Sequence, residues 1–216
     1  MTARLLAALQ NHAKTLFRPQ PTMTVREILK MGDPRLLRIA KPVEQFDTPE
    51  MRELIADMFE TMRERHGVGL AAQQIGRALQ LTVIDVREVG AERPSTLELK
   101  GKAADVNDIM PLVLINPEIK PAGEPASGGE GCLSFPEIFA EISRPGFVDV
   151  KALNEKFKPV EFRAGGLLAR AIQHETDHLN GILFIDRMSK KTKEEIREEL
   201  DALQKATKAE LQKAKI

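Results

Sequence analysis

The segment GLLARAIQHETDHLNG, residues 166 to 181, constrains the fold of this 216-residue chain more than any other. Its apolar residues recur at helical spacing, which predicts a helix that begins near Gly166 and is closed by Gly181. The apolar side of this helix consists of Leu167, Leu168, Ala171, Ile172 and Leu179. Such a helix is largely buried, yet it also carries His174 and His178. Buried imidazoles need partners, so the fold must bring other polar groups to this helix.

His174 and His178 are four residues apart, so a helix projects both side chains from one face and places Glu175 beside them. This HExxH pattern predicts two ligands of one metal ion with a carboxylate nearby. The alternative is a helix with two ordinary surface histidines, which the apolar neighbours disfavour. Cys132 in EGCLSFPE is the natural third ligand, because a catalytic metal site has three protein ligands and an open position. Taken alone, a single cysteine is more often a small buried apolar residue.

A further helix is predicted from Pro49 to about Arg65. Thr48 suits its N-cap, Pro49 its first position and Gly67 its C-terminal cap. Its apolar stripe consists of Met51, Leu54, Ile55, Met58, Phe59 and Met62. Methionines at this spacing indicate core packing rather than a metal or cofactor site.

Strands are predicted where β-branched and apolar residues form runs. The runs are residues 81–86, 112–116, 138–143, 147–153 and 159–163. The segment from Glu88 to Met110 is polar and without clear periodicity, which predicts a long surface loop or insertion that does not shape the site.

A C-terminal helix is predicted from Thr192 onward. Thr192 and Glu195 form a capping box, and an apolar stripe follows on one face. The stripe consists of Ile196, Leu200, Leu203 and Leu211. Together these elements indicate an α+β fold, in which mostly antiparallel strands pack around a central HExxH helix, with one N-terminal and one C-terminal helix.

Composition excludes several classes of function. Lys plus Arg and Asp plus Glu both total 32, and this zero net charge argues against DNA binding. No apolar run approaches the roughly 20 residues of a membrane helix, and a lone cysteine favours a reducing compartment. Residues 1–23 carry basic residues but no acid, which predicts the tail of a cytoplasmic bacterial protein or, alternatively, an organellar transit peptide. Residues 24–216 are expected to form a single catalytic domain.

The stretch GVGLAAQQIG, residues 67–76, permits the close approach of a ligand or another backbone because its residues are small, although glycines after a helix are also common caps. Three stretches, GVGLAAQQ, EGCLS and HETDHLNG, occur in the order of the three signature motifs of peptide deformylases. With the opening VREILKMGDPRLLRIAKPVEQF and the strand LVLINPE, the chain resembles that family over about residues 24–205.

The resemblance implies a metal-dependent hydrolase that removes the N-formyl group from the formyl-methionine of new polypeptides and releases formate. Cys132, His174 and His178 would bind one divalent metal, typically Fe²⁺, although Zn²⁺, Ni²⁺ or Co²⁺ also suit these ligands. Glu175 would act as general base and then as general acid. The N–H of Leu133 and the side-chain amide of Gln74 would form the oxyanion hole.

The resemblance also implies the residues that bind the peptide. They are Val68, Gly69, Glu130, Gly131, Leu133, Leu167, Arg170 and Ala171. Val68, Leu133, Leu167 and Ala171 match positions that line the family's methionine pocket, and the two glycines match positions whose backbone contacts the peptide. Arg170 departs from the apolar residue often found at its position. It is expected either to alter the preference for the first side chain or to extend its guanidinium into water.

Two other readings compete. HETDHLNG also fits the start of the zinc metalloprotease pattern HExxHxxGxxH, but Phe184 occupies the position of the third histidine, and only a glutamate among Glu194, Glu195 and Glu198 could replace it. A binding module with a structural metal would need a fourth ligand. Family members also contact the ribosome through the C-terminal region, although the interleaved charges of that helix favour a solvated face.

Overall fold

The computed structural model describes residues 23–214. The tail predicted over residues 1–23 therefore lies outside the described residues, apart from Met23. The helices are α1 Pro49–Glu64, α2 Gly166–Leu179, α3 Lys190–Glu195 and α4 Arg197–Lys213. The strands are β1 Gly69–Ala71, β2 Leu81–Ile84, β3 Ser95–Leu99, β4 Lys102–Ala104, β5 Leu112–Cys132, β6 Phe135–Leu153 and β7 Pro159–Gly165. Within residues 23–214, no helix combines the length and apolar character needed to cross a bilayer.

The strands form a seven-stranded sheet in the order β1-β2-β5-β6-β7-β3-β4, and every neighbouring pair is antiparallel. Helix α2 packs against β1, β2, β3, β5, β6 and β7, so the helix with the HExxH pattern is central. The predicted α+β architecture is confirmed.

Successive residues of β2 and β5 point to opposite faces of the sheet, and both faces are covered. Val83 and Val113 pack with the apolar stripe of α1. Ile84 and Leu114 pack instead with Leu168 of α2 and its neighbours. Because both faces are buried, these strands are continuous apolar runs in the sequence rather than alternating ones.

Helix α1 begins as predicted but ends differently. Its N-cap is Thr48, whose hydroxyl accepts a hydrogen bond from the Met51 N–H (3.1 Å). The predicted cap at Gly67 is wrong, because the left-handed residue is His66, with φ of 55°. The Gly67 N–H then donates to the Met62 carbonyl (2.9 Å), which satisfies the last turn.

Two predicted strands, residues 138–143 and 147–153, are parts of the single strand β6. Its partner β5 is also far longer than the predicted residues 112–116. The register between these strands shifts three times, including once between Gly131 and Cys132. Such bulges let the ladder continue through a polar stretch, 117–131, that carries no apolar pattern.

The prediction of a long surface loop from Glu88 to Met110 is wrong. This segment contains β3 and β4, and β3 pairs with β7. Leu97 is buried in the same apolar cluster as α2. One buried leucine among polar residues is too weak a signal for a strand, so the sheet rather than local pattern decides this structure.

The C-terminal region forms two helices instead of one. The chain breaks at Ile196, and the first helix is capped by Ser189, not by Thr192. Ser189 Oγ accepts from the Thr192 N–H (3.0 Å). Leu200 is buried against Leu29, Leu36 and neighbouring residues, so the predicted docking of this region is confirmed.

Candidate metal centre and active site

Helix α2 carries His174, Glu175 and His178 into the interior. Their exposed fractions are 8%, 4% and 1%. The two imidazole rings face each other edge to face, with centroids 5.1 Å apart. The spacing of four residues on one buried helix thus produces the adjacent histidines that the sequence predicted.

Cys132 ends strand β5 and joins the two histidines. One ligand atom from each of Cys132, His174 and His178 lies within 4.8 Å of the other two. The Cys132 Sγ and the His178 Nε2 are 3.3 Å apart. The register shift between Gly131 and Cys132 lies directly before this cysteine. A bulge of this kind changes the direction in which the next side chain points.

Glu130 orients His174. One carboxylate oxygen of Glu130 lies 3.0 Å from His174 Nδ1, which leaves the Nε2 of that ring for another ligand. Arg144 donates two hydrogen bonds to the same carboxylate, at 2.7 and 3.0 Å. Burial alone would raise the pKa of Glu130, but the hydrogen bonds from His174 and Arg144 outweigh it and lower the pKa to about 2. Glu130 is therefore a carboxylate that fixes the tautomer of His174.

The donor set fits a divalent transition metal. A thiolate and two imidazoles are ligands that Fe²⁺, Co²⁺, Ni²⁺ and Zn²⁺ all accept. Burial lowers the pKa of His178, which favours the neutral imidazole that a metal ligand must be. Among the described residues, no fourth side chain joins this group, which leaves a coordination position for a reactant.

Glu175 lies beside this group without a hydrogen-bond partner for its Oε2 among the described residues. Burial raises the pKa of Glu175 to about 7, against the opposing positive charge of Arg144. A carboxyl group in this environment is able to accept and return a proton near neutral pH, although the charge of a bound metal would favour its ionised form.

Gln74 lies in the short 3₁₀ helix Ala72–Ile75 that follows β1. Its Oε1 accepts a hydrogen bond from the Ala71 N–H (2.8 Å), which fixes the amide orientation. Its Nε2 then donates to Ser134 Oγ (3.2 Å) and to the sulfur of the candidate ligand Cys132 (3.5 Å). The side chain of the preceding Gln73 points elsewhere and donates a hydrogen bond to the His178 carbonyl (2.8 Å).

These residues surround a cavity of about 760 Å³. Every residue predicted to bind the peptide lines this cavity, as do Gln74, Cys132, His174 and Glu175. His178 is not among the residues that line it. Arg170 lines the wall, but its side chain is only 11% exposed, so the expected extension of the guanidinium into water is wrong.

The features required by the rival protease reading are not in place. Phe184 is buried and stacks near His174, with ring centroids 6.0 Å apart. Glu194, Glu195 and Glu198 are exposed on the C-terminal helices and do not belong to the metal-ligating group.

Two functional residues, Arg144 and Asp177, were not predicted from the sequence. The Arg144 guanidinium, 4% exposed, donates to Glu130 and also to Asp177 (2.7 Å), which in turn accepts from Arg187 (2.6 Å). One signal was available: Arg144 continues the alternation of Ile138, Ala140 and Ile142 on the buried side of a strand. A charged residue at a core position predicts a buried partner of opposite charge.

Comparison with known proteins gives a consistent result. Residues 25–194 match the family model described as polypeptide deformylase. A peptide deformylase of Opitutus terrae is 45% identical over 184 residues, covering 84% of this chain and 94% of the relative. A peptide deformylase of Acinetobacter baumannii is 42% identical over 182 residues, covering 84% of this chain and 93% of the relative.

Solved structures agree. A peptide deformylase from Legionella pneumophila aligns with a TM-score of 0.68 at 42% identity, covering 85% of this chain and 97% of that one. A peptide deformylase from Synechococcus elongatus in complex with actinonin aligns with a TM-score of 0.65 at 38% identity, covering 87% of each chain.

Proposed function

The chain belongs to the polypeptide deformylase family, and from this premise we propose how its own residues perform the family's reaction. The enzyme is a metal-dependent amide hydrolase that removes the N-formyl group from N-formylmethionyl nascent peptides and releases formate.

We assign Cys132, His174 and His178 as the metal ligands, with Glu130 fixing His174. The support is the convergence of one sulfur and two imidazoles within 4.8 Å. When bound there, a divalent metal supplies Lewis-acid chemistry: it polarises the formyl carbonyl and lowers the pKa of water toward neutrality. The metal is proposed to be Fe²⁺, as the family resemblance implies; Zn²⁺, Ni²⁺ or Co²⁺ fit the same ligands.

Glu175 is proposed as general base and then general acid. Its Oε2 is buried, has no other partner in the described part of the chain and lies at the cavity next to the metal ligands. In this role Glu175 takes a proton from the attacking water and returns it to the leaving amine, which departs as the free N-terminus.

Gln74 and Leu133 are proposed to stabilise the formyl oxygen as it gains negative charge. Gln74 is suited to this because its amide is already fixed through Ala71. Leu133 directly follows the proposed cysteine ligand in the chain and lines the same cavity, which supports this role for its backbone N–H. Preorganised donors of this kind are worth roughly 3 kcal/mol each in the transition state.

The methionine side chain is proposed to lie against Val68, Leu133, Leu167 and Ala171. These residues line one cavity with the proposed catalytic groups, and they offer an apolar surface for the thioether chain. Gly69 and Gly131 would contact the peptide backbone, since they bring main-chain atoms to the cavity without a side chain.

The observation that carries this assignment is the position of Glu175 beside the group of Cys132, His174 and His178 at one cavity. The test is formate release from formyl-Met-Ala-Ser by ferrous enzyme protected from oxygen. Glu175→Gln should keep the metal and lose about 10²- to 10⁴-fold in kcat, the usual contribution of general acid-base catalysis. Cys132→Ser should lose the iron. Full activity in Glu175→Gln would refute the assignment.

Three wider proposals accompany this one. Residues 24–216 are proposed to form a single catalytic domain, preceded by a tail, and limited proteolysis tests this boundary. The bacterial relatives support the bacterial cytoplasm as its location, which cell fractionation would test. Contact with the ribosome through α4 is proposed from the family resemblance and is tested by co-sedimentation.

A further inference from the structure

Arg170 lies one helical turn before His174 on α2, and its side chain crosses from the helix to the hairpin of β5 and β6. Its Nη1 donates to the Glu130 carboxylate (2.7 Å) and to the Ile142 carbonyl (2.8 Å). Its Nη2 donates to the Ala126 carbonyl (2.6 Å). The guanidinium therefore bonds to the protein framework, on both strands of the hairpin that carries Cys132.

Glu130 connects these contacts to the metal ligands. The Oε1 that accepts from Arg170 also accepts from Arg144 (2.7 Å), while the Oε2 faces His174 Nδ1 (3.0 Å). Arg144 is itself shared with Asp177. Arg170 thus adds a second cation to the carboxylate that orients a proposed ligand, and such outer contacts set the direction of the ligand's free nitrogen.

We propose that Arg170 is a positioning residue of the metal centre rather than part of the methionine pocket. Its guanidinium ties the hairpin of Cys132 to the helix of both histidines and holds Glu130 in the orientation that presents His174. This inference rests on the proposed metal centre and deepens it, because it gives a framework role to a charged residue in the wall of the cavity.

Gly128 supplies an independent observation for this role. A Cβ atom at Gly128 would lie 3.1 Å from Arg170 Nη2 and 3.2 Å from its Cζ, closer than ordinary contact distance. The backbone φ of Gly128 is not in the left-handed region, so alanine meets no conformational strain there. The glycine therefore leaves the space that the guanidinium fills, and Gly128→Ala should displace Arg170 without touching a metal ligand.

The first experiment measures Co²⁺ affinity by competition with a chelator, together with the thiolate-to-cobalt absorption band. Arg170→Met should weaken Co²⁺ binding by roughly 10-fold and alter the band, since loss of outer contacts typically costs 10- to 100-fold in metal affinity. Arg170→Lys should recover part of the affinity because it keeps one charged donor. The matched control is Arg163→Met, which breaks an exposed arginine-aspartate pair with Asp149 elsewhere on the sheet and should bind Co²⁺ as the wild type does.

The second experiment tests the coupling. Gly128→Ala should weaken Co²⁺ binding several-fold in the wild-type background and add nothing in the Arg170→Met background, because the displaced group is then absent. Equal effects in both backgrounds would overturn the role of Gly128. If Arg170→Met does not fold, Gly128→Ala in the wild-type background and Arg170→Lys decide the question, and wild-type Co²⁺ affinity in both variants would overturn the inference.

Steady-state kinetics with formyl-Met-Ala-Ser separates positioning from substrate binding. For Arg170→Met we expect a lower kcat with KM nearly unchanged. A raised KM with unchanged kcat and unchanged Co²⁺ affinity would assign Arg170 to the peptide pocket and overturn the inference. Wild-type protein that binds no Co²⁺ would overturn the proposed function together with the inference, whereas wild-type affinity in Arg170→Met would overturn the inference alone.

Discussion

At the residue scale, Gly69 and Glu175 are packed so closely that the glycine leaves no room for a side chain. A Cβ at position 69 would lie within 3.0 Å of three atoms of the Glu175 side chain. Because Glu175 is buried, it has little space to move aside without leaving its place at the cavity. A glycine is therefore required at position 69 because the side chain of Glu175, the proposed general base, packs directly against it.

Gly69→Ala is therefore expected to lower kcat by about 100-fold, since a displacement of about 1 Å in a reacting group has an effect of this size. Bound metal, measured by elemental analysis, should be unchanged. Gly90→Ala is the control, because Gly90 has a right-handed helical backbone and does not line the cavity. Undiminished turnover in Gly69→Ala would contradict the assigned position of the base.

Gln73 and Gln74 are neighbours, but their substitution by alanine is expected to affect different properties of the enzyme. Gln74→Ala should reduce kcat by about 10²- to 10³-fold with metal retained, because it removes a proposed oxyanion donor. Gln73→Ala should instead lower the free energy of unfolding by about 1 kcal/mol, because it removes the hydrogen bond to the His178 carbonyl. Kinetics and chemical denaturation of both variants measure the difference. An equal loss of kcat in both would argue against a specific role of Gln74.

At the scale of elements, the start of helix α2 depends on the segment that leads into and begins β3. The Leu167 N–H donates to the Pro94 carbonyl (3.2 Å), and the Leu168 N–H donates to Ser95 Oγ (3.0 Å). These groups satisfy N–H donors that the first turn of a helix leaves without intrahelical partners. The segment from Glu88 to Met110 thus stabilises the helix that carries the histidines.

Ser95→Ala should reduce the free energy of unfolding by about 1 kcal/mol, since the Leu168 N–H loses its acceptor. Ser143→Ala, at an exposed position of β6, should have little effect. Urea denaturation of the two variants provides the comparison. If the two variants were equally stable, the hydrogen bond from the Leu168 N–H to the Ser95 hydroxyl would contribute no measurable stability.

The elements also differ in how well their sequences predicted them. Helices α1 and α2 were predicted nearly to the residue because their apolar stripes repeat with the helical period. Strand β5 was predicted only in part, since most of its second half is exposed and has no apolar pattern, and β6 was predicted as two separate strands. A hairpin ladder of backbone hydrogen bonds holds such a stretch regardless of its side chains.

At the scale of the whole molecule, the proposed metal links two parts of the structure. The histidines lie on α2, and the cysteine lies at the end of β5, more than 40 positions earlier in the chain. A metal held by all three therefore binds the folded protein far better than the unfolded chain. Binding of this kind stabilises the native state by mass action.

Removal of the metal by a chelator should accordingly lower the Tm. At a free metal concentration 100 times the Kd, the holoprotein is expected to be more stable by about 2.7 kcal/mol. Cys132→Ser should lose most of this metal-dependent shift. Differential scanning calorimetry with and without chelator makes the measurement. An identical Tm in the two conditions would contradict a metal held jointly by helix and strand.

The sequence by itself determined the helix with the HExxH pattern, the candidate ligands and the family, because these depend on residue identity and short spacing. Only the tertiary structure decided that Glu130 orients His174, that Arg170 and Arg144 share its carboxylate, and that residues 88–110 form strands. The physical reason is that these features depend on contacts between residues distant in the chain. Their geometry follows from strand register and helix packing, which no local pattern encodes.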